Sequence, residues 1–132
     1  MEKDYCVLVF GKTGCDKCKV LNQRLDQILA RPEWLRFGKT YHDLATLDGL
    51  VAFSKAECVN PQRIPAMMVT RRSPGTGRFQ PVMTRDPGRD DPVCGRSRLH
   101  QYVGLQTDYS ADGKGVITPK MIASVLQEAL EA

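Results

Sequence analysis

Two cysteines three positions apart, Cys15 and Cys18, carry the strongest chemical signal in the chain, within Gly11-Lys12-Thr13-Gly14-Cys15-Asp16-Lys17-Cys18. At the start of a helix this spacing lets Cys18 reach back one turn and close a disulfide with Cys15. There Cys15 faces unpaired backbone N–H groups and the positive end of the helix dipole, which favour thiolate over thiol. Lys12 and Lys17 add positive charge in the same direction. Cys18, one turn further in, is the more sheltered sulfur. An exposed nucleophile and a sheltered resolving thiol are what reversible thiol–disulfide exchange requires. The same spacing also fits half a zinc site or a cluster ligand pair. Zinc needs two further ligands, and the other soft donors, Cys58, Cys94, His42 and His100, form no second close pair. A cluster shared across a dimer needs fewer.

The five cysteines, at 6, 15, 18, 58 and 94, are an odd set without a regular framework, unlike a disulfide-stapled secreted scaffold. Cys6 and Cys58 fall on apolar faces and read as packing residues, whereas Cys94 lies in an arginine-rich stretch. His42 and His100 read as structural or surface residues. Gly11-Lys12-Thr13 ends like a phosphate-binding loop, but Cys6 stands where its opening glycine belongs. Asp108 to Gly113 begins like a calcium loop, yet Gly115 and Pro119 replace its apolar anchor and its closing glutamate.

The positioning elements follow from pattern. Tyr5 to Phe10, ended by Gly11, reads as a central strand covered on both faces. From Cys18, the apolar stripe Leu21, Leu25, Ile28, Leu29 predicts a helix that Arg31-Pro32 ends. Tyr41 to Ala45 is the best second strand. Thr46 then caps a helix over 47–58, with Leu47, Leu50, Val51, Ser54 and Cys58 on one face. Asn60-Pro61 stops it, and Ile64 to Thr70 forms a third strand. Ser73-Pro74-Gly75-Thr76-Gly77 turns the chain, and Phe79 to Thr84 returns antiparallel, confined by Pro81 to an edge or bulge. Asp86 to Arg98 reads as an irregular insertion, and Gln101 to Leu105 as a further strand. Thr118 caps a last helix with Pro119 at its first position and Met121, Ile122, Val125, Leu126, Ala129 and Leu130 on one face.

Length and balance set the class. A chain of 132 residues, 42% hydrophobic and 26% charged, predicts one domain and excludes wholesale disorder. The longest apolar run, Cys6 to Phe10, is too short for a membrane span, and the first residues lack the pattern of a secretory signal, so a cytoplasmic protein is expected. The net charge of +4 is uneven, because eight arginines and only three acids lie between Arg63 and Arg98, without lysine and with five of the eight prolines. With Phe79 its one aromatic, that stretch reads as a solvated, irregular loop whose charges keep it soluble, the alternative being a dock for an acidic partner; nucleic acid is not expected.

Strand, CxxC and helix, with Ile64-Pro65 ahead of an apolar strand, resemble the thioredoxin superfamily, which includes thioredoxins and glutaredoxins. The likeness covers residues 5 to 70 and extends to the last helix. It implies a three-layer α/β/α fold with a central mixed sheet, here with an Arg/Pro-rich hairpin or insertion at about 73–104. It also implies a cis bond at Ile64-Pro65, with Pro65 beside Cys15 and the Ile64 backbone pairing with substrate. Val103-Gly104 looks like the dipeptide following the last strand of thioredoxins, a third edge of the substrate groove. The implied activity is disulfide oxidoreduction in cell redox homeostasis, on a protein disulfide or small thiol substrate, with a separate reductase and no cofactor. Departures are clear. Gly14 precedes the first cysteine, Asp16-Lys17 lies between the two, and Val9 stands where thioredoxins bury an acid serving the second cysteine. Glutathione is not expected, since Gly88-Arg89-Asp90-Asp91 matches the glutaredoxin pattern poorly. A non-catalytic binding module of the same fold and a CxxC metal or iron–sulfur protein are the alternatives.

Overall fold

A computed structural model describes residues 3–56, 64–83, 102–106 and 117–132. Cys58, Cys94, His100, the Asp86 to Arg98 insertion and the Asp108 to Gly113 turn lie outside the described residues. The rest is an α/β unit with a mixed, open sheet of five strands and three helices.

The central strand β1, Tyr5–Gly11, pairs in parallel with β2, Phe37–Asp43, and antiparallel with β3, Ala66–Arg72. Two short strands share the far edge of β3. Residues Thr70 to Arg72 pair with β4, Phe79–Pro81, and Ala66 to Met68 pair with β5, Gly104–Gln106. Between them Val82 N–H donates to Val69 O (3.1 Å), Val69 N–H to Val103 O (2.8 Å) and Val103 N–H to Val82 O (2.6 Å). A bridge between Met83 and Tyr102 closes the junction. The chain thus leaves one edge position after Val82 and re-enters it at Val103. Within the expected hairpin or insertion at 73–104, β4 and Gly104 belong to the sheet. Pro81 sits on this edge strand, as its missing N–H requires.

Alternation along β1 feeds two cores. Tyr5, Val7 and Val9, with Met67 and Val69 of β3, pack under helices α1 (Asp16–Leu29) and α3 (Pro119–Glu131), which contribute Leu21, Leu25, Ile28, Ile122, Leu126 and Ala129. Fully burying such a side chain is worth about 1.5–3 kcal/mol. Phe10, Ala66 and Met68 pack with Phe53 of α2 (Leu47–Ala56), with Ile64 and with Cys18. No helix among the described residues is long and apolar enough to cross a membrane.

Two sequence expectations need correction. The second strand begins at Phe37, not Tyr41, and Ala45 lies in the turn beyond it. Only Phe37 of that strand is buried, so an alternating apolar pattern is missing. Helix α2 is capped by Thr46, whose hydroxyl accepts from Gly49 N–H (3.0 Å), but it docks by the other face. Leu47 is 77% exposed whereas Phe53 is fully buried. Gly49 explains the rotation, since a Cβ there would fall 1.9 Å from the Asp43 carbonyl oxygen. Lacking one, the helix rests directly on the end of β2. The last helix matches its pattern except at Met121, which is exposed, and the Thr118 hydroxyl accepts from Met121 N–H (3.2 Å).

Candidate functional site

Cys15 is the N-cap of α1, in an extended conformation with φ −90° and ψ 110°, so the two sulfurs meet across the first turn. They lie at disulfide distance, with Cα atoms 5.2 Å apart. Cys15 Sγ also accepts from Cys18 N–H (3.2 Å), one of the donors a helix start leaves unpaired. Cys15 is half-buried and Cys18 is fully buried. This is the asymmetry that exchange between an accessible and a shielded thiol needs.

The approach to Cys15 is held from β2. Thr13 donates through its hydroxyl (2.5 Å) and its N–H (3.3 Å) to the Asp43 carboxylate, which also accepts from Ala45 N–H (2.9 Å). These bonds, the Thr13 hydroxyl foremost, hold Asp43 below the usual carboxylate pKa. Leu44 N–H donates to Gly11 O (2.7 Å), and Cys15 N–H to Lys12 O (3.2 Å), closing a tight turn. Gly14 has φ +85°, a backbone state that a side chain disfavours. The residue before Cys15 is a glycine for that reason.

Two depressions flank the helix start. One, of about 430 Å³, is lined by Lys12, Thr13, Cys15, Lys19, Asn22 and Tyr41. The other, of about 260 Å³, is more apolar, lined by Lys17, Val20, Leu21, Arg24, Pro65 and Ile117. Lys12 thus lines the first depression and Lys17 the second, with Asp16 shared between them. The Ile64–Pro65 bond is cis, as the resemblance implies. Ile64 belongs to the cluster that buries Cys18 and against which Cys15 packs, and Pro65 faces the first turns of α1 across the apolar depression. Val103-Gly104 is placed differently from the resemblance. Val103 is buried in the other core and Gly104 opens β5 opposite Met68, so Gln106, opposite Ala66, is the residue at the Pro65 end.

His42 stacks on Phe10 with ring centroids 5.4 Å apart, and burial lowers its pKa. Cys6, the free cysteine among the described residues, is half-buried with Sγ 3.3 Å from the Thr40 hydroxyl. No three of His, Cys, Asp and Glu converge as metal ligands among the described residues. Asp43 and Tyr41 were missed from sequence, because the register of β2 against β1 brings them to the site and spacing alone does not reveal it. Comparison with protein-family models, with curated proteins and with solved structures found no match. The α/β mixed sheet and the close cysteine pair are compatible with the thioredoxin resemblance, and the site must be argued from its own chemistry.

Proposed function

We propose that this protein is a thiol–disulfide oxidoreductase with a thioredoxin-like arrangement. The observation that carries the reading is a half-buried Cys15 capping α1 beside a fully buried Cys18 at disulfide distance. One further feature supports it: an order in which β1, α1, β2 and α2 precede the antiparallel strands and a last helix.

In the oxidative direction for the protein, the Cys15 thiolate attacks one sulfur of a substrate disulfide. A Cys15–substrate bond forms, the substrate S–S bond breaks, and one substrate thiolate departs and takes a proton from water. Cys18, having released its proton, then attacks Cys15 Sγ, and the second substrate sulfur leaves with the bonding electrons. Substrate is reduced by two electrons and the Cys15–Cys18 disulfide forms. The helix start, Lys12 and Lys17 favour the attacking thiolate. The apolar depression bounded by Pro65, Val20 and Ile117 suits a peptide segment carrying the disulfide.

Trapping tests the reading. Cys18→Ser protein, incubated with a disulfide-bonded peptide, is expected to accumulate a mixed disulfide on Cys15, identified by peptide mass spectrometry. Cys15→Ser protein should give none. Equal trapping by both variants, or none by either, overturns the assignment.

A further inference from the structure

The buried second sulfur needs help that β1 does not supply. Val9, at the position of a thioredoxin's buried acid, is sealed in the apolar core. A thiolate on Cys18 would lie in the cluster of Phe10, Phe53, Ile64, Ala66 and Met68, where charge is costly without a hydrogen bond. The group that approaches comes from β2. Tyr41 is paired with Val9 in the parallel register, and its side chain reaches the next same-face position, Gly11. A Cβ on Gly11 would lie 2.7 Å from the Tyr41 hydroxyl, 2.8 Å from Cys18 Cβ and 3.2 Å from Cys18 Sγ. Phenolic oxygen and buried sulfur converge on one point, which the absence of a side chain at Gly11 leaves open.

We propose that the Tyr41 hydroxyl is the hydrogen-bond donor that stabilises the Cys18 thiolate when the Cys15–Cys18 bond breaks. The role rests on the exchange reading above. When an external dithiol reduces the protein, its thiolate attacks Cys15 Sγ, a mixed disulfide forms, and the Cys15–Cys18 electron pair leaves on Cys18 Sγ. Tyr41 O–H donates to that sulfur until a proton arrives from water in the depression lined by Lys12, Cys15, Lys19 and Tyr41. The reductant's second thiol, as thiolate, then displaces Cys15, leaving an oxidised reductant and a reduced protein. Burial, and then the Asp43 charge, raise the pKa of Tyr41, which keeps it an O–H donor through the neutral range. Among the described residues, the other charged or titratable groups around Cys18 are Lys12, Asp16 and Lys19 along that depression, Lys17 along the apolar one, Asp43 beside Tyr41, His42 on Phe10, and Tyr102 against the cluster. Among the described residues, β1, β3 and α2 bring the apolar side chains of Phe10, Ala66, Met68 and Phe53 to the cluster.

Tyr41→Phe in the full chain tests the role. In a Cys15→Ser background, the pH dependence of Cys18 alkylation, assigned by mass spectrometry, is expected to move up by about one unit, a tenfold loss of thiolate below the midpoint. In the protein with both cysteines, Tyr41→Phe should lower the Cys15–Cys18 reduction potential by about 30 mV above the Cys18 midpoint. Well below that midpoint the two proteins should have the same potential, a pH signature that a loss of packing does not produce. Gly11→Ala, which wedges a methyl between hydroxyl and sulfur, is the second variant and should shift Cys18 in the same direction. An unchanged Cys18 midpoint and an unchanged potential at every pH overturn the role of Tyr41 while leaving exchange intact. Absence of any reversible Cys15–Cys18 couple in the parent protein overturns the exchange reading first.

Discussion

One face of the sheet buries Tyr5, Val7, Val9, Met67 and Val69 beneath two long helices, with Lys39 of β2 reaching Asn22 and Asp26 of α1 at its margin. The opposite face buries Phe10, Ala66 and Met68 against the shorter α2, in a cluster that Cys18 joins from the end of the sheet at Gly11. The first face supplies most of the burial that holds the sheet. The second is thinner, and polar groups gather around it: His42 on Phe10, and a buried Thr70 hydroxyl donating to Cys6 O (2.7 Å). The buried Cys18 sulfur thus lies at the end of the sheet, next to the turn that β2 holds. Stability and chemistry are divided between faces, and substitutions should separate them.

The largest effects come from the two cores. Phe53→Ala should cost about 3–5 kcal/mol and Leu25→Ala about 2–5 kcal/mol, read from denaturant midpoints at constant slope. Only Phe53→Ala should also speed alkylation of Cys18 in the reduced protein, because Phe53 shares its cluster and Leu25 does not. Equal acceleration by both would break the division of labour. Gly49→Ala comes next. Its methyl would meet the Asp43 backbone, so α2 must shift, at a cost of about 1–3 kcal/mol in the same unfolding assay. Thr46→Ala removes the cap of α2 and should cost about 1 kcal/mol. The smallest effect is a pH dependence. Asp43 has a lowered pKa when folded, so its contribution is complete above the unfolded carboxylate value of about 3.9 and is lost as pH falls through the folded value. The stability gap between the parent and Asp43→Asn should therefore narrow below about pH 4, where acid titrations of both compare directly.

How legible this was from sequence depended on how each residue is held. Local signals were sufficient for β1, α1 and α3, since Val7, Leu21, Leu25, Ile122 and Leu126 repeat at the period of their elements, and Thr118 caps the last helix. The CxxC was legible for the same reason, as its chemistry follows from a helix start. Half-covered β2 was displaced because Gly38, Lys39 and Thr40 carry no apolar alternation. For α2, the leucine-rich face looked like the buried one, and a packing fact overrode it: Gly49 and Phe53, four apart, let the helix settle on the Asp43 backbone. Tyr41 and Asp43 come near the cysteine pair and its turn through pairing between distant strands, which no spacing encodes. Val103-Gly104 was misplaced along the sheet because the edge strand is split, with β4 and β5 sharing one side of β3.

The measurement that bears most directly on the central claim is the reduction potential of the parent protein, equilibrated in dithiol buffers, with mass spectrometry assigning the cysteines and a metal assay on the same sample. The account predicts a reversible two-electron couple confined to Cys15 and Cys18, with Cys15 alkylated well before Cys18 in the reduced form. An irreversible pair, or stoichiometric metal bound by these two thiols, would contradict it.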